Sequence, residues 1–297
     1  MELHDLKLGN YYLFDDKEDI KKPIRLLSRQ EVDNLQSANK VLYEFQYYNR
    51  RMREIELNYA EYQGTIEKFA KEMNALNNRN IDEERIENIY VQANRTFNNF
   101  VTSLKVFTTH VEARIKKRYG EASREFLTFK KTTALMYDTY FSYKLLMNLR
   151  DYALHKDYAI DRISQESSLL LQPNTFKVEL AVAFNKIKLL EDKKLAKKLK
   201  WDLRKYSDFF PVKFVMEEIT KPMHKIFNVF ISIEKPYFVS HANILVSFTN
   251  ENQGSQKTSF GKVFHEPSGV LRVDTVLLPM NIIEKLREKI ISEEASE

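Results

Sequence analysis

The run Arg150-Asp151-Tyr152-Ala153-Leu154-His155 places a guanidinium, a carboxylate and an imidazole within six residues. It closes a strongly apolar stretch that includes Tyr140, Phe141, Tyr143, Leu145, Leu146, Met147 and Leu149. A charged pair at the end of a packed helix is costly unless it is satisfied or used. Asp151 and His155 are four residues apart, so on a continuing helix they share a face. The carboxylate can then accept one ring N–H, fix the tautomer and leave the other nitrogen for proton transfer. Arg150 and His155 are five apart, which sets them roughly 140° apart around a straight helix. To meet on one phosphate they need a helix end between them or a second copy of the site. The bland reading is that Arg150 and Asp151 cap or ion-pair a bundle and His155 satisfies a helix end.

Other chemistry is sparse. No glycine-rich phosphate loop, His-Glu-x-x-His or serine-hydrolase elbow is present. None of the six histidines stands at metal-ligand spacing from another, and no metal or cofactor is expected. With no cysteine, disulfides, thiolate metal sites and cysteine nucleophiles are excluded. A second feature is the basic run Lys193, Lys194, Lys197, Lys198, Lys200, Arg204 and Lys205. It reads either as a phosphate-tracking face or as a solvated helix face balanced in part by Glu191, Asp192 and Asp202. The aromatic stripes Phe97, Phe100, Phe107 and Tyr137, Tyr140, Phe141 have helical spacing and are expected in the core.

The elements that must position these residues are mostly helical. The 297 residues carry only 6 glycines and 7 prolines, with 30% charged and 43% hydrophobic residues. That balance indicates a globular chain of long helices. The net charge of +5 permits a polyanionic partner without requiring one. No secretory leader or bilayer-spanning stretch is visible, so a cytoplasmic protein with no membrane partner is expected.

Residues 1–27 read as an irregular arm with a short strand near Tyr11 to Phe14. Ser28 and Glu31 form a capping box that opens a long helix through Met73, with a break at Asn77 to Asn80. Asp82 caps a second helix, whose stripe runs Ile86, Tyr90, Ala93, Phe97, Phe100, Leu104, Phe107, Val111, Ile115, and Gly120 ends it. A third helix spans Ala122 to Arg150 or beyond. Three long helices on short connections imply an antiparallel bundle over 28–160. Residues 161–297 read as a smaller α+β part: a connection over Ser164 to Asn174, a strand over Phe176 to Phe184, and a charged helix from Leu189 to Tyr206. A helix from Pro211 to Ile233 follows, broken or kinked at Pro222. Strands are expected over Asn243 to Thr249, Ser259 to His265 and Val270 to Leu278, and a last helix over Asn281 to Ile291.

An Arg, then an Asn, Asp or His, then a His a few residues on, is the signature of HEPN domains. Arg150-Asp151-Tyr152-Ala153-Leu154-His155 matches it, and the chain resembles the bacterial members of that family over residues 28–160. The resemblance implies a helical bundle with the motif at a helix end, and metal-independent RNA cleavage that leaves a 2′,3′-cyclic phosphate. His155 is then the general acid or base, Arg150 stabilises the phosphorane, and Asp151 orients the pair. Lys156, Lys193, Lys197, Lys200 and Arg204 are candidate RNA contacts. The resemblance further implies a homodimer that brings two motifs together, a role in phage defence or as a toxin, and an antitoxin or regulatory partner. The strands after Phe176 lie outside a minimal bundle of this kind. Two other readings stand beside it: a non-catalytic helical interaction protein using the seams Leu35 to Met73 and Ile86 to Ile115, and a nucleic-acid-binding module using Lys193 to Lys205.

Overall fold

The computed structural model describes residues 5–16, 21–75, 83–169, 176–252, 257–265 and 271–294. The protein is mainly α, with eight helices and a smaller antiparallel β part among those residues. The break expected at Asn77 to Asn80 and the cap at Asp82 lie outside them. The chain divides into two compact units, one of Met1–Asn49 with Ile231–Glu297 and one of Arg50–Phe230. These boundaries differ from a division at residues 28 and 161, because they fall inside α1 (Arg29–Ala75) and α7 (Val212–Glu251).

In the first unit the expected arm is half of a sheet. β1 (Tyr11–Asp15) lies between β2 (Lys22–Leu26) and β6 (Thr258–His265), and β7 (Leu271–Leu277) completes the order β2-β1-β6-β7, antiparallel throughout. Pro23 is tolerated because β2 is an edge strand. Tyr12, Phe14 and Val263 form the core of this sheet, with Leu6 and Val273 against it. The capping box is present: the Ser28 N–H donates to Glu31 at 2.8 Å, and the Glu31 N–H donates to Ser28 Oγ at 3.3 Å. Arg25 binds both Glu31 and Glu251, and its guanidinium holds the Glu31 carboxyl down at about 2. The strand expected over Asn243 to Thr249 is instead the end of α7. Ala242, Leu245 and Phe248, three apart, are its buried apolar residues. The last helix is α8 (Met280–Glu294).

In the second unit α1 and α2 (Glu83–Tyr119) run antiparallel. Tyr59 meets Phe100, Tyr62 meets Phe97, and Glu72 pairs with Arg85, so rising numbers on one helix face falling numbers on the other. Phe97, Phe100 and Phe107 are fully buried, as helical spacing predicts, whereas Tyr137 and Tyr140 are half-buried. The two expected seams are buried within the chain over most of their length; Ile86 is exposed and Ile89 takes its place in the core.

The expected third helix is two helices, α3 (Arg124–Thr139) and α4 (Phe141–His155), broken at Tyr140 in extended conformation. The backbone N–H of Ser142, which a helix start leaves unsatisfied, donates to the Glu218 carboxylate of α7 at 2.9 Å. The segment read as a connection, Ser164 to Asn174, holds most of β3 (Arg162–Leu169), and its remainder lies outside the described residues; β3 pairs antiparallel with β4 (Phe176–Asn185), which pairs in turn with β5 (Phe209–Pro211). Its polar sequence gives no alternation to read. The charged helix is split into α5 (Lys186–Glu191) and α6 (Lys193–Leu203), because Asp192 caps α6 by accepting from the N–H groups of Lys194 and Leu195. α7 continues through Pro222, so that proline does not end the helix.

Candidate functional site

α4 is packed on most of its circumference. Leu145, Leu146, Leu149, Tyr143 and Tyr152 are buried, and the open sector carries Lys144, Asp151 and His155. α6 runs antiparallel across this sector. Lys144 Nζ is 2.7 Å from Asp202, and Lys198 Nζ donates to Asn148 Oδ1 at 2.7 Å. Asn148 is 8% exposed and also donates to the Tyr137 hydroxyl and the Lys144 carbonyl, which locks it as the hub of this contact. Past that contact the helices leave a groove of about 450 Å³. Asp151, Tyr152, His155 and Lys156 form one wall, and residues 191–195 with Lys198 form the other.

Four lysines meet three carboxylates in the groove. Lys156, Lys193, Lys194 and Lys198 line it, against Asp151, Glu191 and Asp192. Asp192 is committed to the α6 backbone. His155 is the last residue of α4 and is exposed. Asp151 and His155 share the groove, as their spacing predicts. No hydrogen bond joins them among the described residues; the Asp151 carboxylate instead accepts from Arg150 at 3.0 Å. Burial pushes the Tyr152 phenol up, so it stays protonated at neutral pH.

Arg150 does not line this groove. It sits on another side of α4, with a side chain one-third exposed and its Nε buried without a hydrogen-bond partner among the described residues. The roughly 140° between positions five apart is thus kept, and one chain does not bring Arg150 and His155 to one point. Of the basic candidates, Lys156 and Lys193 join His155 at the groove. Lys197, Lys200 and Arg204 lie outside its lining, on the exposed face of α6.

What ends α4 at His155 is a set of residues that sequence reasoning missed. Asn94 of α2 is fully buried; its Oδ1 accepts from the Ile160 N–H at 3.0 Å, and its Nδ2 donates to the Ile160 carbonyl at 3.1 Å. This clamps the chain just past the helix, as an inserted strand partner would. Lys188 then bridges Asp157 at 3.0 Å and Asp161 at 2.6 Å, and Asn185 donates to Asp161 at 2.9 Å. Burial pushes the Asp161 carboxyl up, but the bonds from Lys188 and Asn185 outweigh it and hold it below the usual carboxylate range. The bond from Lys188, with that from the Tyr158 N–H, holds Asp157 low as well. Only one signal was readable in advance: an Asn on the buried stripe of α2, beside Ala93 and Phe97, needs a polar partner.

No protein-family model, characterised protein or solved structure matches the chain. No helix among the described residues is long and apolar enough to cross a membrane.

Proposed function

We propose that this protein is a metal-independent endoribonuclease of the kind its HEPN-like motif suggests. The observation that carries the reading is the position of His155. An exposed imidazole ends a rigidly packed helix inside a lysine-rimmed groove, with the Asp151 carboxylate on the same wall. The lysines attract a phosphodiester backbone. The imidazole takes the proton from a ribose 2′-hydroxyl or gives one to the leaving 5′-oxygen. Attack of that 2′-oxygen on the adjacent phosphorus breaks the P–O5′ bond and leaves a 2′,3′-cyclic phosphate. Arg150 is the group that would stabilise the phosphorane, a task suited to its planar fork. Since Arg150 and His155 of one chain diverge, the reading includes a homodimer in which each phosphate meets His155 of one copy and Arg150 of the other. A role in phage defence or as a toxin, with an antitoxin or regulatory partner, belongs to the same proposal and rests on the motif's resemblance alone.

The test is cleavage of a mixed RNA pool in EDTA by wild type and His155→Ala, both confirmed folded by circular dichroism. Cleavage by the wild type, with cyclic-phosphate ends, that disappears in the variant is the expected result. Equal cleavage by both, or none by either, rejects His155 as the catalytic group. A second reading, RNA binding without cleavage, is favoured by the absence of Arg150 from the groove; retention of RNA by both proteins with no cleavage identifies it.

A further inference from the structure

Trp201 is the one tryptophan of the chain, and it is 74% exposed on α6. Leu195, Leu199 and Leu203 are the buried stripe of that helix, so Trp201 is directed away from the core. One face of its indole is covered by Arg204, whose guanidinium carbon lies 3.8 Å from the ring centroid. A cation held against one face leaves the other free for a planar partner. Around it stand Lys193, Lys194, Lys197 and Lys200, all exposed and none with its ammonium paired to a carboxylate among the described residues. Of the acidic residues beside them, Asp192 caps the helix and Asp202 pairs with Lys144, while Glu191 stands exposed on the groove wall. The run carries Lys193, Lys194, Lys197, Lys198, Lys200, Arg204 and Lys205 against Glu191, Asp192 and Asp202, so it keeps an excess of positive charge.

The phase of the helix connects this face to the groove. Lys194 lines the groove, and Trp201 is seven residues on, which is two turns less about 20°. The two side chains project to the same side of α6, separated by about 10 Å of helix rise. A strand that leaves the groove along Lys194 therefore passes over Trp201 within the few nucleotides a single-strand site spans. Lysines on a backbone track and an aromatic platform open to a base are the recognition chemistry of single-stranded nucleic acid. A duplex keeps its bases stacked inside and has none to offer.

We infer that α6 selects single-stranded RNA as the substrate of the His155 groove, with an unpaired base stacked on the free face of Trp201 and phosphates on Lys193, Lys197 and Lys200. This rests on the ribonuclease reading for what happens in the groove, but the stack has its own readout. Full-length His155→Ala protein is titrated with oligo(U), with an RNA duplex of the same length, with heparin and with anionic phosphatidylserine vesicles, while tryptophan emission is followed. Oligo(U) quenches the emission saturably, whereas duplex and heparin bind without quenching. Labelled oligo(U) binds Trp201→Ala about ten-fold more weakly by anisotropy, and Trp201→Phe restores most of the affinity. Oligo(U) binding without quenching, unchanged affinity in Trp201→Ala, equal quenching by duplex, or an emission change with vesicles alone overturns the inference. His155-dependent cleavage together with an unaffected Trp201→Ala sinks only the stack. Quenching by oligo(U) in a protein whose wild type never cleaves RNA upholds the stack and sinks the ribonuclease reading.

Discussion

Asn94→Ala removes the clamp that ends α4, and its cost follows from the two hydrogen bonds that alanine cannot make. Asn94 is fully buried and satisfies both backbone groups of Ile160, itself fully buried, at 3.0 and 3.1 Å. Its third bond, to the Tyr90 carbonyl, is expendable because that carbonyl also lies inside α2. Alanine leaves a buried N–H and a buried C=O unpaired. Each costs about 1–3 kcal/mol, so the expected loss is about 3–4 kcal/mol, falling toward about 2 if water enters the vacated space. The assay is urea denaturation combined with amide exchange at Ile160. The Ile160 N–H should exchange far faster in the variant than in wild type, while amides within α2 keep their protection. Asn94→Asp separates the donor from the acceptor. Its carboxylate still accepts from the Ile160 N–H but cannot donate to the carbonyl, and burial raises its pKa in the folded state. The protonated acid can donate, so this variant loses less stability at pH 5 than at pH 8. A loss under about 1 kcal/mol in Asn94→Ala with unchanged Ile160 protection would refute the clamp.

The Asp157–Lys188–Asp161 bridge gives a pH dependence. Both carboxyls are held below their unfolded values, so their contribution is complete above about pH 4 and is lost as pH falls through the folded values. Amide protection over residues 157–161, corrected for intrinsic exchange, should fall in that acid range, and Lys188→Met should weaken the dependence. Glu218→Ala uncaps the buried start of α4 and should cost about 1–2 kcal/mol in thermal denaturation, with Glu218→Gln recovering part of it. Gly261→Ala should destabilise the four-stranded sheet by about 1–3 kcal/mol, since a Cβ there meets Thr275 Cγ2 at 2.8 Å and Thr275 Cα at 2.9 Å; a melting temperature equal to wild type would show that the strand pair can part. If the catalytic site is shared between two copies, inactive Arg150→Ala and His155→Ala proteins should regain activity when mixed. Random exchange puts half the chains in mixed dimers with one intact site of two, so about a quarter of wild-type activity is expected. No recovery after verified exchange would place both groups in one chain's site.

What was legible in the sequence was whatever one element decides for itself. The Ser28–Glu31 box, the stripe Phe97, Phe100, Leu104, Phe107, Val111, the Gly120 stop at φ +89° and the alternation of β4 are local signals, and each stands where expected. The misreadings share one cause, a partner distant in the chain. Nothing near Tyr140 announces a helix end, because the group that satisfies the new N-terminus is Glu218, 76 residues from Ser142. β3 is polar and silent on its own, and its strand character comes from pairing with β4. Residues 243–249 carry enough β-branched and aromatic side chains to read as a strand, but Ala242, Leu245 and Phe248 give their helix a buried face.

The candidate site divides along the same line. Four-residue spacing put Asp151 and His155 on one wall, and five-residue spacing put Arg150 off it; both follow from helix phase alone. The groove itself does not. It exists because α6 crosses the open sector of α4 and is held there by Asn148 and Lys144, and because Asn94 and Lys188 turn the chain away directly after His155. A six-residue motif can therefore name the reacting groups but not the surface they face. Here that surface is made by lysines, with Asp192 among their carboxylate neighbours occupied in capping α6 and Glu191 exposed beside it. The placing of these lysines beside His155 is thus a by-product of how α4 and α6 are anchored. Loosening the anchor at Asn148 should weaken binding of an anionic strand without touching a single lysine. That is a consequence no purely motif-based account of the site contains.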